Sequence, residues 1–266
     1  MTKKEKLQKK LLEYTQKDVC VAFSGGVDSS LLLVMVCEAA GENDTKVYAI
    51  TADTALHPKA DLEIARKVLA RTSAVHEVLR IDELTVPEIK FNPINRCYLC
   101  KKELYTRMLE FAEKMDCAYL LEGSNGDDLH VYRPGLLAVR ELGVKSPLAE
   151  YGITKEEVRE MAKEYGIPVA ARPSAPCLAT RLPYGTEIDM ELLKRIDLAE
   201  TAIKEMGYRN VRVRVHGEIV RLEMDLTSFE MVLEQREQIL AVLKNQGFRY
   251  VTLDLEGFRS GSMDIK

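Results

Sequence analysis

No stretch of this sequence stays apolar over the ~20 residues that a helix needs to cross a bilayer. The basic residues 1–10 are not followed by the apolar core of a signal peptide. These absences favour a cytoplasmic protein without membrane spans. The formal net charge of −4 also lacks the basic excess typical of nucleic-acid binders. The 266 residues suffice for one large domain or two modest ones.

The six cysteines do not indicate a disulfide framework, which is a device of small secreted proteins. Cys20, Cys37 and Cys117 lie in or beside apolar segments, and we expect them to be buried thiols. Cys97 and Cys100 form a C-x-x-C pair that opens a predicted helix. The sixth cysteine lies in a proline-rich loop further along the chain.

Apolar segments alternate with helical patterns through the first half of the chain. Strands are predicted over residues 18–23, 46–51, 74–81 and 118–122, and helices over 3–14, 27–40, 58–71 and 95–115. The strands are apolar throughout, as in a parallel sheet that is covered on both faces. The sequence therefore predicts an α/β fold with an open, doubly wound, mainly parallel sheet. Its ligand should lie beyond the carboxyl ends of the strands.

The second half differs in composition. Residues 171–187 hold three prolines and little periodicity, so we expect a long ordered loop. A small α+β domain is predicted from Ile188 onwards, with helices over 190–206 and 228–245 and strands over 210–215, 218–224 and 250–255. We therefore predict one domain over residues 1–187 and a second over residues 188–266.

The strongest local signal is a glycine-rich loop between the first strand and the second helix, Ser24-Gly25-Gly26-Val27-Asp28-Ser29-Ser30. Glycines let backbone N–H groups close on an anion, and the helix N-terminus adds further donors and its dipole. No lysine follows the glycines, so this is not a Walker-type loop. The loop resembles the PP-loop of the adenine nucleotide α-hydrolase superfamily, whose S-G-G-x-D-S pattern it matches at all six positions.

This resemblance implies a PP-loop ATPase (HUP-like) fold for the first domain. It also implies that ATP is split between its α and β phosphates, which releases pyrophosphate and leaves an adenylate. By the same resemblance, Thr51 and Asp53 at the end of the second strand hold adenine and ribose. Gly123 and Asp127, after the fourth strand, lie close to the phosphates.

Carboxylates near this loop are candidates for Mg²⁺, which prefers oxygen ligands. The candidates are Asp28 in the loop and Asp127 and Asp128 after the fourth strand. Capping of a helix N-terminus is an equally good account of Asp127 and Asp128.

Cys97 and Cys100 on one helical turn can present two thiolates to one metal, and Cys177 is a candidate third ligand. A redox dithiol and chance spacing are the alternatives. More specific patterns are Ser174-Ala175-Pro176-Cys177-Leu178-Ala179-Thr180-Arg181 and Val211-Arg212-Val213-Arg214-Val215-His216. With these patterns and the loop, the chain resembles the LarE family along essentially its whole length.

That resemblance implies an ATP-dependent sulfur transferase. LarE proteins adenylylate the carboxylates of pyridinium-3,5-biscarboxylic acid mononucleotide and convert them to thiocarboxylates for the nickel-pincer cofactor of lactate racemase. In one variant of the family, a lone cysteine at the position of Cys177 gives up its own sulfur. In the other, three cysteines hold a [4Fe-4S] cluster. Because this chain has Cys97, Cys100 and Cys177, it resembles the cluster variant.

Arg212 and Arg214 alternate along one predicted strand and so share a face. Two guanidiniums suit a phosphate dianion. The family resemblance implies that they bind the mononucleotide phosphate with Glu200 nearby, and Arg181 is a further candidate for substrate contact. A solvated face with cross-strand ion pairs to Glu218 or Glu223 is the alternative.

Rival functions explain fewer of these features. A PP-loop tRNA thiolase would need a basic face, NAD and GMP synthetases have no use for the cysteines, and a bare ATP-binding module leaves the arginine pair without a role. We expect ATP, Mg²⁺ and a [4Fe-4S] cluster as cofactors, and a small pyridinium mononucleotide as substrate. We also expect a homo-oligomer and neither a nucleic acid nor a membrane as partner. The sulfide donor is left open.

Overall fold

The computed structural model describes residues 1–57, 60–130, 133–168, 176–259 and 261–263. The chain divides into two compact units, Met1–Val86 with Asn95–Ala175 and Pro87–Ile94 with Pro176–Lys266. Residues 176–187, which the sequence analysis assigns to the first domain, thus belong to the second unit. The predicted helix start at Pro58 and the predicted loop residues 171–175, with Ser174 and Ala175 of the cysteine pattern, lie outside the described residues.

The first unit is built on a four-stranded parallel sheet. Its strands are β1 (Val19–Ala22), β2 (Val47–Thr54), β3 (Val75–Ile81) and β4 (Tyr119–Leu121), in the order β3-β2-β1-β4. Because β2 and β4 lie on opposite sides of β1, the chain reverses its direction of winding at β1. A crevice for ligands is expected at the carboxyl ends of β1 and β4.

Helices cover both faces of this sheet, which confirms the predicted α/β class. They are α1 (Lys3–Tyr14), α2 (Val27–Asn43), α3 (Ala60–Leu69), α4 (Arg96–Lys114), α5 (Gly135–Glu141), α6 (Pro147–Glu150) and α7 (Lys155–Glu164). Val19 and Val21 of β1 join a core formed with α1, α2, α6 and α7. Cys20, between them, joins the opposite core with α4 and α5. The alternation along a strand therefore supplies both cores.

Two features depart from the sequence analysis. Strand β3 is an edge strand with exposed valines at positions 75 and 78, so it is not the fully covered strand that was predicted. Helices α5, α6 and α7 lie in a region to which no element was assigned. No helix among the described residues is both long and apolar enough to cross a membrane.

The second unit contains a three-stranded sheet of β5 (Val211–His216), β6 (Ile219–Met224) and β7 (Tyr250–Leu253) in the order β5-β6-β7. Strands β5 and β6 are antiparallel, and β6 and β7 are parallel. Its helices are α8 (Met190–Glu205), α9 (Phe229–Glu234) and α10 (Arg236–Asn245), the last two in place of one predicted helix. Short 3₁₀ turns form at Pro87–Phe91 and Leu178–Arg181.

Candidate functional site

The glycine-rich loop joins β1 to α2 at the carboxyl edge of the sheet. Gly25 has φ of 72°, a left-handed conformation that favours glycine. Gly26 is the N-cap of α2, and no side chain caps that helix end. The hydroxyls of Ser24 and Ser29 lie 3.1 Å apart, and the Ser29 hydroxyl donates to the Gly26 carbonyl at 3.1 Å. The first turn of α2 therefore keeps its unpaired N–H groups available to an anion.

The segment after β4 closes on this turn. A Cβ added to Gly123 would lie 2.8 Å from the Ser29 nitrogen and 2.9 Å from its Cα, so only glycine fits there. The Ser30 hydroxyl is fully buried and has no hydrogen-bond partner among the described residues. An orphan hydroxyl beside an N–H cradle fits a phosphate that supplies the missing partner.

Asp28 and Asp127 are both connected to Lys155 at the start of α7. The Lys155 ammonium forms a close ion pair with the Asp28 carboxylate, and the Lys155 backbone N–H donates to Asp127 at 2.8 Å. The Asn125 amide donates to the other Asp28 oxygen at 3.1 Å. Asp128 accepts from the Asn125 backbone N–H at 3.1 Å. Asp28 and Asp127 thus contact one lysine, and Asp28 and Asp128 contact one asparagine.

The predicted adenine and ribose residues lie in the second half of β2. The Thr51 hydroxyl lies 3.0 Å from Nε2 of His76 on the neighbouring β3. Burial and nearby Arg66 lower the pKa of His76, so this imidazole is neutral at pH 7. Asp53 lies in the half-buried part of β2, with its carboxylate 3.9 Å from Nε of Arg80. Both groups therefore remain at the edge at which a ligand is expected.

The first two candidate cluster ligands lie on the first turn of α4. Cys97 is exposed and Cys100 is half-buried. Arg96, almost fully buried, donates to the Cys97 sulfur at 3.8 Å. Thiol donors are the chemistry that an iron–sulfur cluster requires. Among the described residues, no three histidine, cysteine, aspartate or glutamate side chains form a group that could hold a metal ion.

Cys177 belongs to the second unit and directly precedes the 3₁₀ turn at Leu178–Arg181. The Arg181 Nη1 donates to the carbonyls of Pro176 and Cys177 at 3.0 and 3.1 Å. Its Nε and Nη2 donate to the Glu200 carboxylate at 2.8 and 2.7 Å. Arg181 is only 2% exposed. In this arrangement the guanidinium holds the backbone of the cysteine loop.

Glu200 on α8 is buried with Arg181. Burial alone would raise the pKa of Glu200, but the hydrogen bonds and charge of Arg181, with Lys204 and the Val213 N–H, lower it. The carboxylate is therefore charged at neutral pH, and it also accepts from the Val213 N–H of β5 at 3.0 Å. This ion pair joins the cysteine loop, α8 and β5.

Arg212 and Arg214 share one face of β5, as predicted, and both are almost fully buried. Arg214 donates to Glu223 at 3.0 and 3.1 Å and to the Thr180 carbonyl at 2.6 Å. An ion pair to Glu223, the alternative to phosphate binding, is thus present at Arg214. Arg212 stacks on the ring of Phe258 at 5.0 Å. Burial, with Arg181 beside it, lowers the pKa of Arg212 to about 10.

Three arginines around this face, at positions 181, 212 and 214, lie close to two buried glutamates, at positions 200 and 223. Lys204 and Arg221 also pair with these two glutamates, so cations are in excess here, and that excess suits an anionic group.

Sequence reasoning did not identify Lys155 or Asn125. Thr154 and Glu157 form a capping box at the start of α7, and this T-x-x-E pattern could have located the helix and the lysine at its first position. The role of Asn125 has no such local signal, because its partner Asp28 is distant in sequence.

Comparisons with known proteins agree with this geometry. A family model described as the PP-loop domain matches residues 1–130. The chain is 38% identical to an uncharacterised protein of Synechocystis over 92% of this chain and 91% of that protein. It is 34% identical to the pyridinium-3,5-bisthiocarboxylic acid mononucleotide synthase of Lactiplantibacillus plantarum, over 92% of this chain and 88% of the synthase. An uncharacterised Methanocaldococcus jannaschii protein is 31% identical over 96% of both chains.

Proposed function

We propose the substrate of this chain, which belongs to the LarE family and is an ATP-dependent sulfur transferase with a PP-loop domain. The proposed substrate is pyridinium-3,5-biscarboxylic acid mononucleotide, whose carboxylates become thiocarboxylates for a nickel-pincer cofactor. The observation that carries the proposal is the Ser24–Ser30 cradle at the β1 and β4 ends, since it can hold the pyrophosphate that an adenylylation releases.

The chemistry divides into activation and delivery. A substrate carboxylate oxygen attacks the α-phosphorus of ATP, and pyrophosphate leaves with the bonding electrons. A sulfur nucleophile then attacks the carbonyl carbon, AMP leaves, and a thiocarboxylate remains. The N–H groups of the cradle and the Lys155 ammonium stabilise the negative charge that develops on the leaving pyrophosphate.

Mg²⁺ would be held at Asp28 with Asp128 or Asp127. This ion typically takes one or two carboxylates and completes its coordination with phosphate oxygens and water. The few carboxylates at this site therefore fit a metal that arrives with ATP.

For delivery, we propose that Cys97, Cys100 and Cys177 hold a [4Fe-4S] cluster. Such a cluster would be held by the three cysteine thiolates and would supply sulfide, a strong nucleophile near neutral pH, at an iron without a protein ligand. In the alternative, Cys177 donates its own sulfur, and the exposed Cys97 and half-buried Cys100 then have no role.

The substrate phosphate is proposed to bind at Arg212 and Arg214, with Glu200 and Arg181 as the supporting pair. The positive excess on this face supports the assignment. A PP-loop tRNA thiolase is the second candidate function, and the net charge of −4 argues against it. A homo-oligomer and a cytoplasmic location stay predictions, and light scattering on the purified protein tests the first.

The test is pyrophosphate release by anaerobically prepared protein with ATP, comparing the pyridinium dicarboxylate with tRNA. Stimulation by the dicarboxylate and formation of thiocarboxylate support the proposal, and stimulation by tRNA alone overturns it. Mass spectrometry of the protein after turnover distinguishes the delivery routes. Loss of one H₂S at Cys177 indicates self-donation, whereas an unchanged mass and a brown, iron-containing protein indicate the cluster.

A further inference from the structure

A buried asparagine closes the loop that carries Cys177. Asn92 lies in the segment Pro87–Ile94, which belongs to the second unit, and it is 0% exposed. Its side-chain amide nitrogen lies 2.8 Å from the Pro183 carbonyl and 3.1 Å from the Leu182 carbonyl. The Ala179 carbonyl is 3.5 Å away. In return, the Asn92 carbonyl accepts from the Gly185 N–H at 3.1 Å.

The residue type suits this position in two ways. Asn92 has φ of 47°, a left-handed conformation that costs most residues energy and that asparagine tolerates best after glycine. Its NH₂ group also carries two donors, enough for the carbonyls of Leu182 and Pro183. Aspartate has the same shape but no donor when it is ionised.

Asn92 completes a set of side chains that hold the loop by its backbone. Arg181 donates to the carbonyls of Pro176 and Cys177, and Arg214 donates to that of Thr180. The side-chain amide of Asn92 donates to the carbonyls of residues 179, 182 and 183. All these acceptors are main-chain oxygens, so the three side chains hold the backbone of residues 176–183.

We propose that Asn92 is a positioning residue for Cys177. It fixes the C-terminal side of the loop as Arg181 fixes the N-terminal side, and together they hold the sulfur at one place in the second unit. The consequence for catalysis rests on the proposed role of Cys177 in sulfur delivery. The residues proposed to bind ATP lie in the first unit, whereas Asn92 lies in the second.

The test substitutes Asn92→Gly, which keeps the left-handed backbone and removes both donors. Asn210→Gly is the matched control, because the Asn210 amide also donates in the second unit, to Asp225 at 3.0 Å, away from the cysteine loop. Alkylation of each cysteine by iodoacetamide is followed by peptide mass spectrometry on protein prepared without iron, so that no cluster protects the thiols. Cys97, exposed, and Cys20, buried, serve as internal references for reagent activity and for global unfolding.

In Asn92→Gly, alkylation of Cys177 should accelerate by about tenfold, the factor that a lost buried hydrogen bond typically gives, and Cys20 should stay protected. Thiocarboxylate formation should fall by a similar factor, while pyrophosphate release stimulated by the dicarboxylate stays near the wild-type rate. Asn210→Gly should change neither rate. Unchanged Cys177 alkylation, or an equal loss of pyrophosphate release and thiocarboxylate, overturns the proposal.

Asn92→Asp gives an independent readout if the glycine variant does not fold. Its carboxyl regains one donor when it is protonated, so the excess of Cys177 alkylation over wild type should shrink as the pH falls towards about 5. A pH-independent excess contradicts the hydrogen-bonding role. If wild-type protein forms no thiocarboxylate, the proposed function fails, and the alkylation rates still decide whether Asn92 positions Cys177.

Discussion

Glu83 provides a test of the electrostatics of the first unit. It follows β3, it is 0% exposed, and neither carboxyl oxygen has a hydrogen bond of ordinary geometry to a described residue. Nδ1 of His57 lies 3.9 Å from one of these oxygens. Burial raises the pKa of Glu83 from 4.5 to about 7, against smaller lowering effects of its own N–H and of Thr54. The folded state therefore holds this proton more tightly than the unfolded state.

The sign and size of the effect on stability follow from that difference. A carboxyl with a raised folded-state pKa favours folding at low pH, and this advantage is lost as the pH rises from 4.5 through about 7. At 1.36 kcal/mol per pKa unit, the complete loss is about 3 kcal/mol. About 1 kcal/mol of it has already been lost at a pH of about 5, so about 2 kcal/mol separates that pH from a pH of about 8.

Glu83→Gln keeps the shape of the side chain and removes the carboxyl group that titrates. Relative to wild type, the variant should gain about 2 kcal/mol of unfolding free energy between a pH of about 5 and a pH of about 8. Urea unfolding followed by far-ultraviolet circular dichroism measures this, because the chain has no tryptophan for fluorescence. Glu218→Gln, at an exposed ion pair with Arg249, is the control. A difference between variant and wild type that does not change with pH would refute the assignment of a raised pKa.

Three further outcomes are expected. Lys155→Met should slow pyrophosphate release by about 10²-fold, because one preorganised positive group is lost from the phosphate site, and a phosphate-release-coupled assay measures it. Gly123→Ala should abolish ATP binding in calorimetry, whereas Gly41→Ala, which has open space around the added Cβ, should bind normally and gain about 0.5–1 kcal/mol of helix stability. Arg181→Met should cost about 3–5 kcal/mol in urea unfolding by leaving Glu200 buried and unpaired, and adding Glu200→Gln should restore part of it.

The sheet and the anion loop could be predicted because their signals are local. The loop is visible because a buried strand, two glycines and the start of a helix are adjacent in sequence. The parallel direction of the strands follows from their alternation with helices. What could not be predicted depends on partners that are distant in sequence. The ammonium of Lys155 beside Asp28 and the buried carboxyl of Glu83 follow from packing between elements, and no local pattern reports them.

Arg181 shows that residue type does not report which partners a side chain already has. An arginine beside a reactive cysteine suggests substrate binding, because guanidiniums recognise phosphate and carboxylate. A guanidinium has five N–H donors. In this structure four of those of Arg181 go to Glu200 and to the loop carbonyls, and the side chain is almost fully buried. One N–H of Nη2 is left for a substrate, and any second contact would have to replace the carboxylate of Glu200 or a loop carbonyl. An arginine that binds substrate and one that shapes the site can thus share one sequence pattern, and counting the donors already in use separates them.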